Sequence, residues 1–194
     1  MPVNILVEGP TDEFVAKRLL KFAGLEAGRV YGNQGKTHLL QHLPNYNKAA
    51  RFAPWFALVD LDTDYECALK AIEVWLPDPA EGMRFRIVVR AIEAWLMADR
   101  EQIANFLAVA PSKVQHQIEL DHNPKETLIS IARTSRNKSI REELVPRQGS
   151  GARVGPLYTS RIREFIETRW RPDIAANECE SLRRCILALS TLAS

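Results

Sequence analysis
The chain has 194 residues, 46% hydrophobic and 26% charged, with a formal net charge of +2. That composition fits a globular protein with a sizeable core, and it excludes a partner chosen by overall charge alone. Cys67, Cys179 and Cys185 form no Cys-x-x-Cys pair and leave an odd thiol, against a disulfide framework or structural zinc and in keeping with a reducing cytoplasm. No apolar run reaches bilayer length and no basic-then-apolar leader is visible, so no membrane partner is expected.

The first hundred residues alternate short apolar runs with amphipathic stretches. NILVEG predicts a strand, and Thr11 is placed to cap a helix running through Phe14, Val15, Leu19 and Phe22. A short strand around Arg29 to Tyr31 leads through GNQGK to a helix over Thr37 to Leu43. WFALVD predicts a third strand, followed by a helix near Tyr65 to Trp75 that PDP ends. RFRIVV predicts a fourth, and AIEAWLMADREQIANFL one long helix. Strands without clean alternation, each followed by a helix, imply an α/β fold: a Rossmann-like parallel sheet of about four strands covered on both faces. Beyond Leu107 no strand is expected. NPKETLISIARTSRNKSIREELV, YTSRIREFIETRW and NECESLRRCILALSTLA predict helices, with RQGSGARVG as a glycine-rich connection. The expected division is an α/β domain over 1–107 and a helical region over 108–194 packed on it.

Two acidic clusters stand out. Glu8 ends the first strand, with Asp12 and Glu13 just beyond, and DLDTD places Asp60, Asp62 and Asp64 at the end of the third. In an extended segment, side chains two apart point the same way, so these three carboxylates are expected to converge. Like charges so close need a neutralising partner, and a hard divalent cation such as Mg²⁺ or Mn²⁺ suits oxygen ligands. Parallel sheets bind ligands at the carboxyl ends of their strands, which gathers Glu8, Asp60 and Asp62 on one rim with Asp12 above them. Gly9, lacking a Cβ, is expected to allow a sharp turn or a close phosphate. For each acid alone the ordinary alternative is a helix cap or solvated charge, the better reading for Glu13 and the open one for Asp64. Glu93 and Arg90 follow the fourth strand onto the same rim, where Glu93 either helps at a second metal or simply faces a helix dipole.

VEGPTD followed by VDLDTD resembles the TOPRIM domain, whose first strand ends on Glu-Gly and a later strand on Asp-x-Asp. Asp12 occupies the place of an acid found in the OLD-type nuclease branch, and GNQGKTHLLQHL is similar to the Gly-Lys turn between the two motifs. RAIEAWLMAD resembles a segment of small prokaryotic TOPRIM-like proteins. The resemblance spans about the first hundred residues. It implies a Mg²⁺- or Mn²⁺-dependent nuclease with Glu8, Asp60 and Asp62 catalytic and on metal beside Asp12, to which the rim position adds Glu93 as a catalytic candidate and the DLDTD spacing adds Asp64 as a metal candidate. A role in prokaryotic defence or repair and a nearby-encoded ATPase follow by analogy, and self-association is left open.

Residues 133–163 carry Arg133, Arg136, Lys138, Arg141, Arg147, Arg153, Arg161 and Arg163 against Glu142 and Glu143. Such a segment suits a phosphate backbone or is a solvated surface. Lys36, Arg90, Arg133, Arg136, Lys138 and Arg153 are the expected nucleic-acid contacts. A Walker loop is excluded because Val30 stands where its first glycine is required. His38 and His42 lack an HExxH pattern and read as a surface pair; Tyr158 as a nucleophile is disfavoured. The rival expectations are a non-catalytic nucleic-acid-binding or regulatory subunit working with a partner ATPase, and nucleotidyl transfer.

Overall fold
The computed structural model describes residues 1–192, so the expected helix reaching Ala193 runs one residue outside them. The strands are β1 (Val3–Val7), β2 (Ala27–Gly32), β3 (Trp55–Asp60) and β4 (Met83–Val88), all parallel in the order β2-β1-β3-β4. Helices α1 (Pro10–Phe22), α2 (Lys36–Ala49) and α3 (Ala68–Trp75) connect them. Then follow α4 (Ile92–Ala98), α5 (Arg100–Phe106), α6 (Pro124–Arg133), α7 (Lys138–Leu144), α8 (Tyr158–Thr168), α9 (Pro172–Ala175) and α10 (Glu180–Ser190). Short 3₁₀ turns at Pro111–Lys113 and Ile118–Leu120 interrupt the helices. The expected sheet-and-helix architecture is what the chain adopts.

The two central strands, β1 and β3, send alternate side chains into two apolar layers, whereas β4 alternates buried Met83, Phe85 and Ile87 with half-buried Arg84 and Arg86. Ile5, Val7, Phe56, Leu58 and Val88 join a layer built with α1 and the helices after β4, continuous as far as Leu189. Leu6, Ala57, Val59, Phe85 and Ile87 join the other, beneath α2 and α3. The chain leaves β1 towards β2 over one face and returns to β3 over the other. The carboxyl ends of β1 and β3 therefore flank the point where strand order reverses, the place such sheets reserve for ligands.

Several local expectations are corrected. The first helix starts at Pro10 behind Gly9, so Thr11 lies inside it, and Asp12 does the capping by accepting the Gly9 N–H at 2.9 Å. The second helix passes through Pro44 to Ala49, because Tyr46 packs on Tyr31 and Trp55 and Asn47 holds the loop at Asp78 and Ala80. Tertiary contacts outweigh one missing amide. The helix near Tyr65 begins only at Ala68. The long helix from Ala91 breaks at Asp99, a buried carboxylate that caps α5 through Gln102 and binds the Arg171 guanidinium at 2.7 and 3.0 Å. The helix across 123–145 breaks at Ser135 to Asn137, where Asn137 caps α7.

Candidate functional site
β1 stops at Val7, opposite Leu58, so Glu8 reaches beyond its own strand and accepts the Asp60 N–H at 2.8 Å. The first turn of α1 contributes Asp12, and the first turn of α4 contributes Glu93, which is fully buried. Four carboxylates from four element ends thus press on one another. Burial pushes Glu8 from an ordinary 4.5 up to about 7, with Asp12 and Asp62 adding and Lys36 and the Asp60 amide opposing. Burial also raises Asp12 from 3.8 to about 7, aided by the charge of Glu93 and resisted by the Gly9 amide and Lys125. Asp60 is held well above the carboxylate range, by burial first and then by Asp12, Glu93 and Glu8. Disturbance of this size, concentrated at a strand-end crevice, is typical of functional sites.

Two oxygens carry a further signal. Asp60 Oδ1 and Glu93 Oε2 are sealed from solvent with no hydrogen-bond partner, an expensive arrangement for carboxylates. The other Glu93 oxygen accepts the Tyr158 hydroxyl at 2.8 Å and lies 3.3 Å from Lys125 Nζ. Burial and the neighbouring Glu93 hold the Tyr158 phenol well above its ordinary pKa, which suits a fixed donor and not a nucleophile. Against burial, Glu93 and Asp60 raise Lys125, so it stays charged.

DLDTD does not form the convergent row expected of an extended segment. Leu61 is buried, and Asp62 turns into the left-handed region at φ 49°, unusual outside glycine. Asp62 and Asp64 consequently point outward, about half exposed, and share Lys36 Nζ at 2.5 and 2.8 Å. Arg90 fastens this turn by donating to the carbonyls of Asp62 at 3.0 Å and Tyr65 at 3.2 Å. The acids therefore form an inner group of Glu8, Asp12, Asp60 and Glu93, and an outer pair balanced by Lys36. Gly9 is extended at φ −155°, and a Cβ there would meet Asp12 at an ordinary 3.6 Å. The turn does not require glycine. Gly32 is the demanding one: at φ 91°, its Cβ would stand 2.1 Å from the Val7 carbonyl oxygen.

Beside the inner acids opens a cleft of about 460 Å³, whose walls include Asp60, Asp62, Arg90, His122, Lys125 and Arg153. Of the expected nucleic-acid contacts, Arg90 and Arg153 reach this cleft, and Lys36 is engaged with the outer acids. Arg133 ends α6, roughly 12 Å of helix rise from Lys125 near its start. Lys138 pairs with Glu142, and Arg136 is exposed between α6 and α7. Arg161 and Arg163 pair with glutamates of their own helix, Arg161 also with Glu143. The basic segment is thus dispersed, with Arg153 its representative at the acids. A larger cleft, about 730 Å³, lies at the amino ends of the strands around Phe52, Pro54 and Gly82, away from every carboxylate with a raised pKa.

Lys125 was not singled out by sequence, and Tyr158 was considered in another role; their relation to Glu93 is visible only in three dimensions. NPKE gives a helix start at Pro124, but nothing in the chain ties that start to β3. His38 and His42 stack with centroids 4.2 Å apart on α2 and do not open towards a common ligand. Cys179 and Cys185 are buried, their thiols pushed up by desolvation, and Cys67 is exposed. Among the described residues, no three His, Cys, Asp or Glu side chains stand close enough to enclose a metal ion by themselves, and no helix is long and apolar enough to cross a membrane. The chain matches no family model, no curated protein and no solved structure among those compared.

Proposed function
We propose that the chain is a TOPRIM-like phosphodiesterase that uses Mg²⁺ or Mn²⁺ to hydrolyse nucleic acid. The observation that carries this reading is the inner acid group, with Asp60 Oδ1 and Glu93 Oε2 buried and unpartnered inside it. Those donors fit a hard cation, which one or two of Glu8, Asp12, Asp60 and Glu93 would hold, with water and substrate phosphate completing its shell. Bound there, a divalent cation lowers the pKa of its water and neutralises charge on phosphate oxygens.

The protein groups have separable tasks. The Asp60 amide fixes Glu8, the Gly9 amide fixes Asp12, and the Tyr158 hydroxyl fixes Glu93, so three acids have set orientations before substrate arrives. Arg90 donates to the backbone carbonyls of Asp62 and Tyr65 and, among the described residues, forms no ion pair, so it brings a positive charge to the cleft wall. With Lys125 and Arg153 it forms the wall that would receive a phosphodiester. The outer pair, Asp62 and Asp64, would guard the rim through Lys36.

One observation favours a regulatory, non-catalytic subunit instead: Lys36 and Lys125 already offset part of the acidic charge. A supercoiled-plasmid nicking assay in Mg²⁺ or Mn²⁺ separates the two. The phosphodiesterase reading expects nicking that falls at least about 100-fold in Glu8→Gln and Asp60→Ala. Nicking that survives both substitutions removes the acid centre from the reaction, and metal binding without nicking supports the regulatory subunit.

A further inference from the structure
Next to the outer acids, with Asp64 in its wall as Asp62 is in the wall of the cationic cleft, lies an open depression of about 500 Å³. Lys36, Thr37, Gln41, Asp64, Tyr65 and Trp75 shape it. Its floor is aromatic. Tyr65 and Trp75 meet edge to face with centroids 5.5 Å apart, and both are only partly buried against the layer under α2 and α3. Its rim is polar: Lys36 Nζ sits 5.7 Å from the Trp75 ring centre, while Thr37 and Gln41 bring a hydroxyl and an amide from the same helix. Trp55, Trp95 and Trp170 are buried, so Trp75 is the tryptophan with an accessible ring. The depression is continuous with the acid centre through Lys36, which lines it and holds Asp62, itself a wall of the cationic cleft.

Resting on the phosphodiesterase reading, we infer that this aromatic shelf receives an unstacked nucleobase, and that the substrate is a single strand or an unpaired strand segment. A flat ring with a cation above it and amide and hydroxyl groups at its edge matches a base, which offers a π-face and a polar edge together. A base in a duplex is stacked on both faces and cannot present itself to Trp75. A phosphodiester lying between the Arg90–Lys125–Arg153 wall and the inner acids leaves the adjoining base on the shelf side of the rim. Lys36 links the two parts, since the ammonium that quiets Asp62 and Asp64 also stands over the ring.

Fluorescence anisotropy of a labelled oligodeoxythymidine in EDTA, which stops cleavage, tests this beside a blunt duplex and oligomers with one abasic site stepped along the strand. The single strand is expected to bind about tenfold tighter than the duplex, and Trp75→Ala to remove about tenfold of that while Trp75→Phe retains most. One abasic position should reproduce the loss in the wild type and add nothing in Trp75→Ala. The abasic arm alters only the nucleic acid, so it stands even where a Trp75 variant folds poorly. Equal binding of duplex and single strand overturns the shelf, as does single-strand binding indifferent to Trp75 and to every abasic position. Glu8-dependent cutting without any Trp75 effect sinks the shelf alone. Trp75-dependent binding by a wild type that cuts nothing in Mg²⁺ or Mn²⁺ leaves the shelf standing and sinks the phosphodiesterase.

Discussion

Glu8 and Asp12 give the protein a pH signature that needs no substrate. Below its ordinary pKa of 4.5, Glu8 carries its proton in both folded and unfolded chains; between 4.5 and about 7 only the folded chain keeps it. The stabilisation is therefore complete below 4.5 and is lost as pH rises through about 7, and Asp12 behaves alike between 3.8 and about 7. Metal-free protein should lose on the order of 1–3 kcal/mol of stability between pH 4.5 and 8, a figure reduced for the partial exposure of both residues. Urea midpoints at the two pH values, with Glu8→Gln alongside, check this; the variant should show a flatter profile and gain stability relative to wild type at pH 8. Glycine substitutions separate two residues that look alike in sequence. Gly32→Ala should cost roughly 2–4 kcal/mol, because its Cβ would meet backbone at 2.1 Å, while Gly9→Ala should stay within ~0.5 kcal/mol. Thermal melts of the two variants would reverse that order if the Gly9 turn were the strained one.

At the level of elements, the junction between α4 and α5 shows what local pattern conceals. The run from Ala91 to Leu107 has the periodicity of one helix, yet Asp99 divides it to bind Arg171, seventy-two residues later in the chain. Asp99→Ala leaves the Arg171 guanidinium without its buried acceptor and should destabilise by about 3 kcal/mol in chemical denaturation. A cost under ~0.5 kcal/mol would show that the break holds without the pair. The strands and their parallel pairing were legible because buried strands carry unbroken β-branched and aromatic runs, as in WFALVD. Glu8, Asp12, Asp60 and Glu93 were legible as acids at element ends. The splitting of DLDTD was not: Asp62 leaves the extended region through contacts with Arg90, which lies beyond the following strand. Lys125 was hidden for the same reason, since its meaning depends on α6 packing against α4.

For the whole molecule, the sheet and the helices after it meet at the acid group. Glu8 and Asp60 come from the ends of the two central strands, Asp12 from α1, Glu93 from α4, and the groups that fix or balance Glu93 come from α6 and α8. The apolar layer that joins β1 and β3 to Phe165 and Leu182 holds these parts in register, so the acid centre depends on residues well beyond the strands that begin it. Lys125→Met and Tyr158→Phe test this dependence: both remove a polar partner of Glu93 while keeping bulk. Each should lower Mg²⁺-dependent cleavage by about tenfold or more at a temperature where melting shows the variant still folded, and unchanged cleavage would confine the site to the sheet. Calorimetric titration of Mn²⁺ into the protein at pH 8 shows whether the inner carboxylates form a cation site. Saturable binding is expected in the wild type, lost in Asp60→Asn and weakened at least about tenfold in Glu8→Gln. Binding undiminished in both variants, or none in the wild type at millimolar Mn²⁺, would contradict such a site.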